Sequence, residues 1–285
     1  MTLPNFIIIG AAKAGTTSLW HYLGQHPQIF MSRVKEPDYF REQKADRTGV
    51  VRSLEEYEAL FRDAAGYKAI GEASPSYIAD PQTVESIRAL LPDVRLIAIL
   101  RDPCKRVFSE FTFQRMRGFE RETDFLEAVH SAPSRPGDRQ FDYIGHSLYF
   151  RNLSRYYDAF PAEHIKVVFN EDLRRDPQQL LGEICVFLGV DPSVRIDTAA
   201  ELTVSGVPRV PALHWLLGRH NLLRDSVGPL LPEWLRDIAR RIKNANLVRQ
   251  AMTPPERAAL LPFFEEDTRQ LERLLKVDLS HWRAA

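Results

Sequence analysis

The stretch Phe6-Ile7-Ile8-Ile9-Gly10-Ala11-Ala12-Lys13-Ala14-Gly15-Thr16-Thr17-Ser18 decides how the rest of the chain is read. Its opening is an apolar, β-branched run of strand length that stops at a glycine. From Thr17 to Leu23 the apolar positions recur at three- and four-residue spacing, the period of a helix. The residues between are small, so the backbone can turn sharply and aim the amides of Ala14, Gly15, Thr16, Thr17 and Ser18 at one anion. A helix opening near Thr16 adds its unpaired N–H groups and its positive end. Lys13 adds a formal charge, and Thr16 and Thr17 add hydroxyls. A plain strand-to-helix turn capped by Thr16 or Thr17 is the simpler reading. Lysine, glycine and two threonines together at a strand's carboxyl end favour a cradle for a phosphate-like group. The loop is not a Walker A motif, because Lys13 precedes Gly15 by two residues instead of following the second glycine.

Outward from this loop, Lys68–Ile70, Val94–Leu100 and Ile165–Phe169 read as further strands. Pro81–Leu91, Cys104–Met116, Leu148–Phe160 and Asp176–Leu188 read as helices. Strands alternating with helices imply βαβ units, hence a P-loop-like three-layer α/β/α fold around a mostly parallel sheet. Ligands of such sheets sit at the carboxyl ends of the strands. Ser131–Asp142, rich in proline and polar residues, reads as a surface loop, and 190–209 as irregular. Trp215–Leu275 reads as helical, with Pro254-Pro255 opening a helix after Thr253. No internal repeat divides the 285 residues, so a single domain over 1–285 is expected, completed by the helical part from about 210.

The 38 basic and 38 acidic residues cancel, which argues against a general nucleic-acid or anionic-membrane binder and leaves an anion to be gripped locally. Phe108, Phe111, Phe113, Arg115 and Arg117 fall at helical spacing and read as packing, not as a base-stacking surface. The two cysteines, Cys104 and Cys185, sit in apolar helical patterns, as buried thiols in a reducing compartment would. Neither a secretory leader nor a membrane span is legible, so the expected location is the cytoplasm. The eight histidines lack metal-ligand spacing, so no metal is expected.

The loop resembles the 5′-phosphosulfate loop of sulfotransferases that use 3′-phosphoadenosine 5′-phosphosulfate. Arg101-Asp102-Pro103 with Ser109, eight residues after the arginine, is similar to the family segment that binds the donor's 3′-phosphate. Arginine grips phosphate with two prongs, and a serine further along the helix adds a hydrogen bond. Lys35-Glu36-Pro37-Asp38-Tyr39-Phe40 resembles the segment that supplies the general base in relatives acting on glycosaminoglycans, and Glu36 is the matching position. Tyr39 and Phe40 are placed to give that base an apolar wall. Gly71-Glu72-Ala73-Ser74-Pro75-Ser76-Tyr77 resembles a further family segment, with Ala73 where many glycan-modifying members carry lysine. That departure argues against a polyanionic glycan contacted there. Ser147-Leu148-Tyr149 matches another family block, and Arg209 stands where a donor-binding loop supplies a second 3′-phosphate ligand.

The resemblance implies transfer of a sulfuryl group from that donor to a small-molecule, lipid or saccharide acceptor. Lys13 would stabilise the leaving phosphate and Glu36 would take the acceptor's proton, with His146 as the alternative base. Two other readings stay open at this point. One is a P-loop kinase using ATP and magnesium, with Asp102 as the metal carboxylate; the other is a nucleotide-binding protein without catalysis.

Overall fold

The computed structural model describes residues 2–41, 51–134, 141–199 and 250–284, with the backbone of 207–208 and 247–248. Five strands, β1 (Phe6–Gly10), β2 (Ile29–Met31), β3 (Ala69–Ala73), β4 (Arg95–Leu100) and β5 (Ile165–Phe169), form one sheet in the order β2-β3-β1-β4-β5. Every neighbouring pair is parallel. All of β1, all of β3 and all of β4 except Arg95 are buried, so both faces of the central strands are covered. That is the three-layer α/β/α arrangement expected from the sequence.

The helices in chain order are α1 (Thr16–Leu23), α2 (Leu54–Ala59), α3 (Pro81–Leu90), α4 (Pro103–Arg117), α5 (Phe125–Ser131), α6 (Tyr149–Ala159), α7 (Asn170–Arg175) and α8 (Pro177–Leu188). α9 (Pro254–Leu275) and α10 (Ser280–Arg283) close the chain. Their starts are written locally. Asp80 and Asp176 each accept a first-turn amide, 3.2 Å from Gln82 and 3.0 Å from Gln179, and each is followed by a proline at the first helical position. α8 stops at Gly189, whose φ of 74° is the left-handed conformation that ends a helix. β2, α2, α5 and α7 have no counterpart among the elements expected from the sequence, and Lys68–Ile70 is the start of a longer strand. Most of Trp215–Leu275 and the centre of Ser131–Asp142 lie outside the described residues.

The chain divides into two compact units, Met1–Arg106 with Ile144–Leu202 and Pro262–Ala284, and Val107–Tyr143 with Thr203–Leu261 and Ala285. The first unit contains the five-stranded sheet and its core. Within it Asp267 of α9 accepts the amides of Phe150 and Arg151 at 2.9 and 3.0 Å, capping α6. Trp282 packs against Tyr149 and Phe169, so the closing helices belong to the same core. In the second unit, Phe108, Phe111 and Phe125 pack ring against ring, and the Arg117 guanidinium lies over Phe113 and Phe119. Those aromatics pack as expected. The two-residue strands β6 (Val207–Pro208) and β7 (Leu247–Val248) pair antiparallel.

One contact in the sheet is close enough to yield a prediction. A Cβ at Gly71 would lie 2.2–2.4 Å from the Phe6 ring, inside any permissible contact. Gly71→Ala is therefore expected to cost about 1–3 kcal/mol in urea unfolding, with part recovered by adding Phe6→Leu. Wild-type stability in the single variant would contradict the contact.

Candidate active site

The order β2-β3-β1-β4-β5 places a topological switch between β1 and β4. After β1 the chain turns toward β3 and β2, and after β4 toward β5. The loops leaving β1 and β4 diverge there, which opens a crevice at the strands' carboxyl ends. The residues singled out from the sequence leave β1 as Lys13 and β4 as Arg101.

The first loop is held by its carbonyls. The Arg101 guanidinium donates to the Lys13 carbonyl at 3.1 Å, and the Asn170 side-chain amide donates to the Ala14 carbonyl at 2.7 Å. Lys13 has φ 68° and Gly15 φ 114°, both left-handed. A Cβ at Gly15 would come within 3.1 Å of Asn170 and of Leu173, so glycine is required there for space as well as conformation. The carbonyls of Lys13 and Ala14 are thus tied back, and the Ala14 amide donates to the Ala11 carbonyl at 3.1 Å, so the amides left to face an anion are those from Gly15 into the first turn of α1. That helix has no side-chain cap at Gly15 and no acidic residue in its first turn, so its positive end is left uncompensated. Thr16 is buried, and Thr17 and Ser18 are half-buried.

Arg101 is braced in turn. Tyr149 donates its hydroxyl to the Arg101 carbonyl at 2.9 Å, and the wholly buried Arg106 reaches Ser147 Oγ at 2.5 Å. The Ser147–Tyr149 block thus supports the segment that carries Arg101. Burial and the neighbouring Arg174 guanidinium lower the Arg101 pKa from its ordinary value. Two mutually repelling cations near an amide-lined loop are relieved when an anion binds between them. Asp102 serves the helix instead, since its Oδ1 accepts the amide of Lys105 at 3.2 Å at the start of α4.

Glu36 comes to the same edge of the sheet from the other side of β1. Its amide donates to the Ala73 carbonyl at the end of β3, 3.0 Å away, and β3 lies beside β1 with Ile8 opposite Ala73. Glu36 also has a left-handed backbone, φ 61°, and its carboxylate meets Lys35 Nζ at 2.6 Å. Non-glycine residues hold that conformation only where their surroundings over-determine it, and such residues cluster at functional sites. Lys13 and Glu36 share the feature. Tyr39 and Phe40 turn their rings to Tyr57 and Tyr77. The buried carboxyl in contact with Tyr57 and Tyr77 is Glu72, whose pKa is pushed up to about 8, first of all by burial.

Ser109 is buried on α4, in the part of that helix assigned to the second unit. His146 is half-buried in a short 3-10 turn, Gly145–Ser147. Arg209 lies outside the described residues. Asn170 and Arg174 are not legible in the sequence because their places depend on tertiary contacts, and Glu72, part of the segment singled out above, has its place there without its role; the signal for Asn170 is a polar residue directly after the strand β5.

A family model described as "Sulfotransferase domain" matches residues 3–205, the greater part of the chain. The chain belongs to the sulfotransferase family. The matched region contains Lys13, Glu36, Arg101 and Ser109 and stops short of Arg209. The membrane-associated sulfotransferase kil1 of Dictyostelium discoideum is 26% identical over 67% of this chain and 57% of its own. Human heparan sulfate glucosamine 3-O-sulfotransferase 3B1 is 28% identical over 85% of this chain and 60% of its own. The chain thus spans less than two thirds of the length of these curated relatives. A crystal structure of a sulfotransferase from Alicyclobacillus acidocaldarius superposes with a TM-score of 0.77 at 28% identity, covering 100% of both chains.

Proposed function

We propose that this sulfotransferase moves a sulfuryl group from 3′-phosphoadenosine 5′-phosphosulfate to a hydroxyl or amine of a small-molecule, lipid or saccharide acceptor. The observation that carries the reading is the start of α1, without a side-chain cap and free of acidic residues, directly after Lys13-Ala14-Gly15. Lys13 and the amides of residues 15–18 stabilise the negative charge that develops on the leaving 5′-phosphate, with Ala14 shaping the turn through its bond to Ala11; such preorganised electrostatics is commonly the largest catalytic term. Glu36 accepts the proton of the acceptor as its oxygen or nitrogen bonds to sulfur in line with the departing phosphate. Arg101 and Ser109 bind the 3′-phosphate, with Arg209 as a further ligand. No metal is needed in this scheme, because a sulfuryl group carries less negative charge than a phosphoryl group.

The acceptor side has one informative feature. Ala73 is completely buried, so that position offers no group to an acceptor's charge. This supports an acceptor less anionic than a sulfated polysaccharide. Among the described residues no helix is long and apolar enough to cross a membrane. Cys104 and Cys185 are free and buried, which supports a cytoplasmic, reducing location.

Calorimetric titration with 3′,5′-adenosine bisphosphate in EDTA tests the donor: binding without metal is expected, and binding only of ATP with magnesium would overturn the assignment. Incubation with the donor and a pooled acceptor library, read for the mass of one sulfuryl group, identifies the acceptor. Asn170→Ala frees the Ala14 carbonyl and is expected to weaken bisphosphate binding by about tenfold. Unchanged affinity would remove Asn170 from the cradle.

A further inference from the structure

Glu72 is a wholly buried carboxyl that the mechanism above leaves unused. Its Oε2 accepts the hydroxyl of Ser74 at 2.8 Å, and the same Ser74 Oγ accepts the amide of Asp38 at 3.2 Å. Parallel contacts run from the same stretch to the same loop. Ser76 donates to Asp38 Oδ1 at 2.8 Å, the Phe40 amide donates to the Tyr77 hydroxyl at 3.3 Å, and the Glu36 amide donates to the Ala73 carbonyl at 3.0 Å. The loop so gripped contains two left-handed non-glycine residues, Glu36 at φ 61° and Asp38 at φ 52°. Such backbone persists only where contacts over-determine it.

We propose that Glu72 is a positioning residue: through Ser74 it fixes the amide of Asp38 and thereby the left-handed segment that aims Glu36. The proposal rests on the reading of Glu36 as the base. Burial raises the Glu72 pKa to about 8, Ser74 opposes that rise and Asp38 adds to it. The bond from Ser74 asks only for an acceptor oxygen, so a neutral amide of the same shape can replace the carboxyl. The side chain acts as a hydrogen-bonding strut.

The test compares Glu72→Gln, Glu72→Leu and Ser74→Ala in the full chain, by amide hydrogen exchange at Asp38 and Phe40 and by donor turnover with the pooled acceptors. Leu and Ala are expected to speed exchange and lower kcat by about tenfold or more each, with the KM for the donor unchanged. Gln is expected to restore most of both, which a residue that merely fills space would not require. Ser74→Ala adds no bulk, so it decides the matter if Glu72→Leu fails to fold. Wild-type exchange in Ser74→Ala, or a Gln variant no better than Leu, overturns the proposal. Glu36→Gln run alongside separates the two ideas: full turnover there overturns the base assignment and, with it, the catalytic half of the proposal, whatever the exchange shows.

Discussion

Lys13→Ala is expected to lower turnover by roughly a hundred- to thousandfold, the usual loss when one preorganised donor to a developing anion is removed. The reason starts in the backbone. Lys13 sits at φ 68°, where a side chain other than glycine costs roughly 1–2 kcal/mol, so local stability alone would favour glycine. A glycine there relieves that strain and gives back ~0.5–1 kcal/mol in chain entropy, which leaves Lys13→Gly close to neutral in stability. The two variants together separate ammonium from fold. Both should melt near the wild type and bind 3′,5′-adenosine bisphosphate, while kcat falls in each. An active Lys13→Gly enzyme would show that the ammonium group takes no part in the transfer.

Glu36→Gln is expected to lower kcat by roughly a hundred- to ten-thousandfold, the range for loss of a general base, with donor affinity retained. The side chain is partly open to solvent and its amide is anchored on the end of β3, so the substitution keeps size and backbone contact and removes only basicity. Lys35 Nζ lies 2.6 Å from the carboxylate. Equal kcat in the Gln variant would dismiss Glu36 and move the search to His146, which His146→Asn then tests by the same assay.

The parts of the fold legible in sequence were those whose pattern is local. β1 is an uninterrupted apolar run, β4 one after Arg95 and β5 one broken only by Lys166, and α3 and α8 carry Asp-Pro starts. β2 is only three residues long, too short to show a period, and exists because it pairs with β3. β3 was seen only at its beginning, since Gly71 and Glu72 look like turn and surface residues. In the fold Gly71 makes room for the Phe6 ring, and Glu72 is buried among Tyr57, Tyr77 and Ser74. The loop around Lys13 could be read because its chemistry lies in consecutive residues. Asn170 could not, because it comes to that loop from the start of α7, 156 positions from Ala14, and Arg174 could not, because it meets Arg101 only in the fold.

The most direct measurement of the central claim is a crystal structure of the protein soaked with 3′,5′-adenosine bisphosphate. The 5′-phosphate is expected against the amides of residues 15–18 with Lys13 Nζ in contact, and the 3′-phosphate at Arg101. A bisphosphate bound with its 5′-phosphate away from the start of α1 would contradict the account.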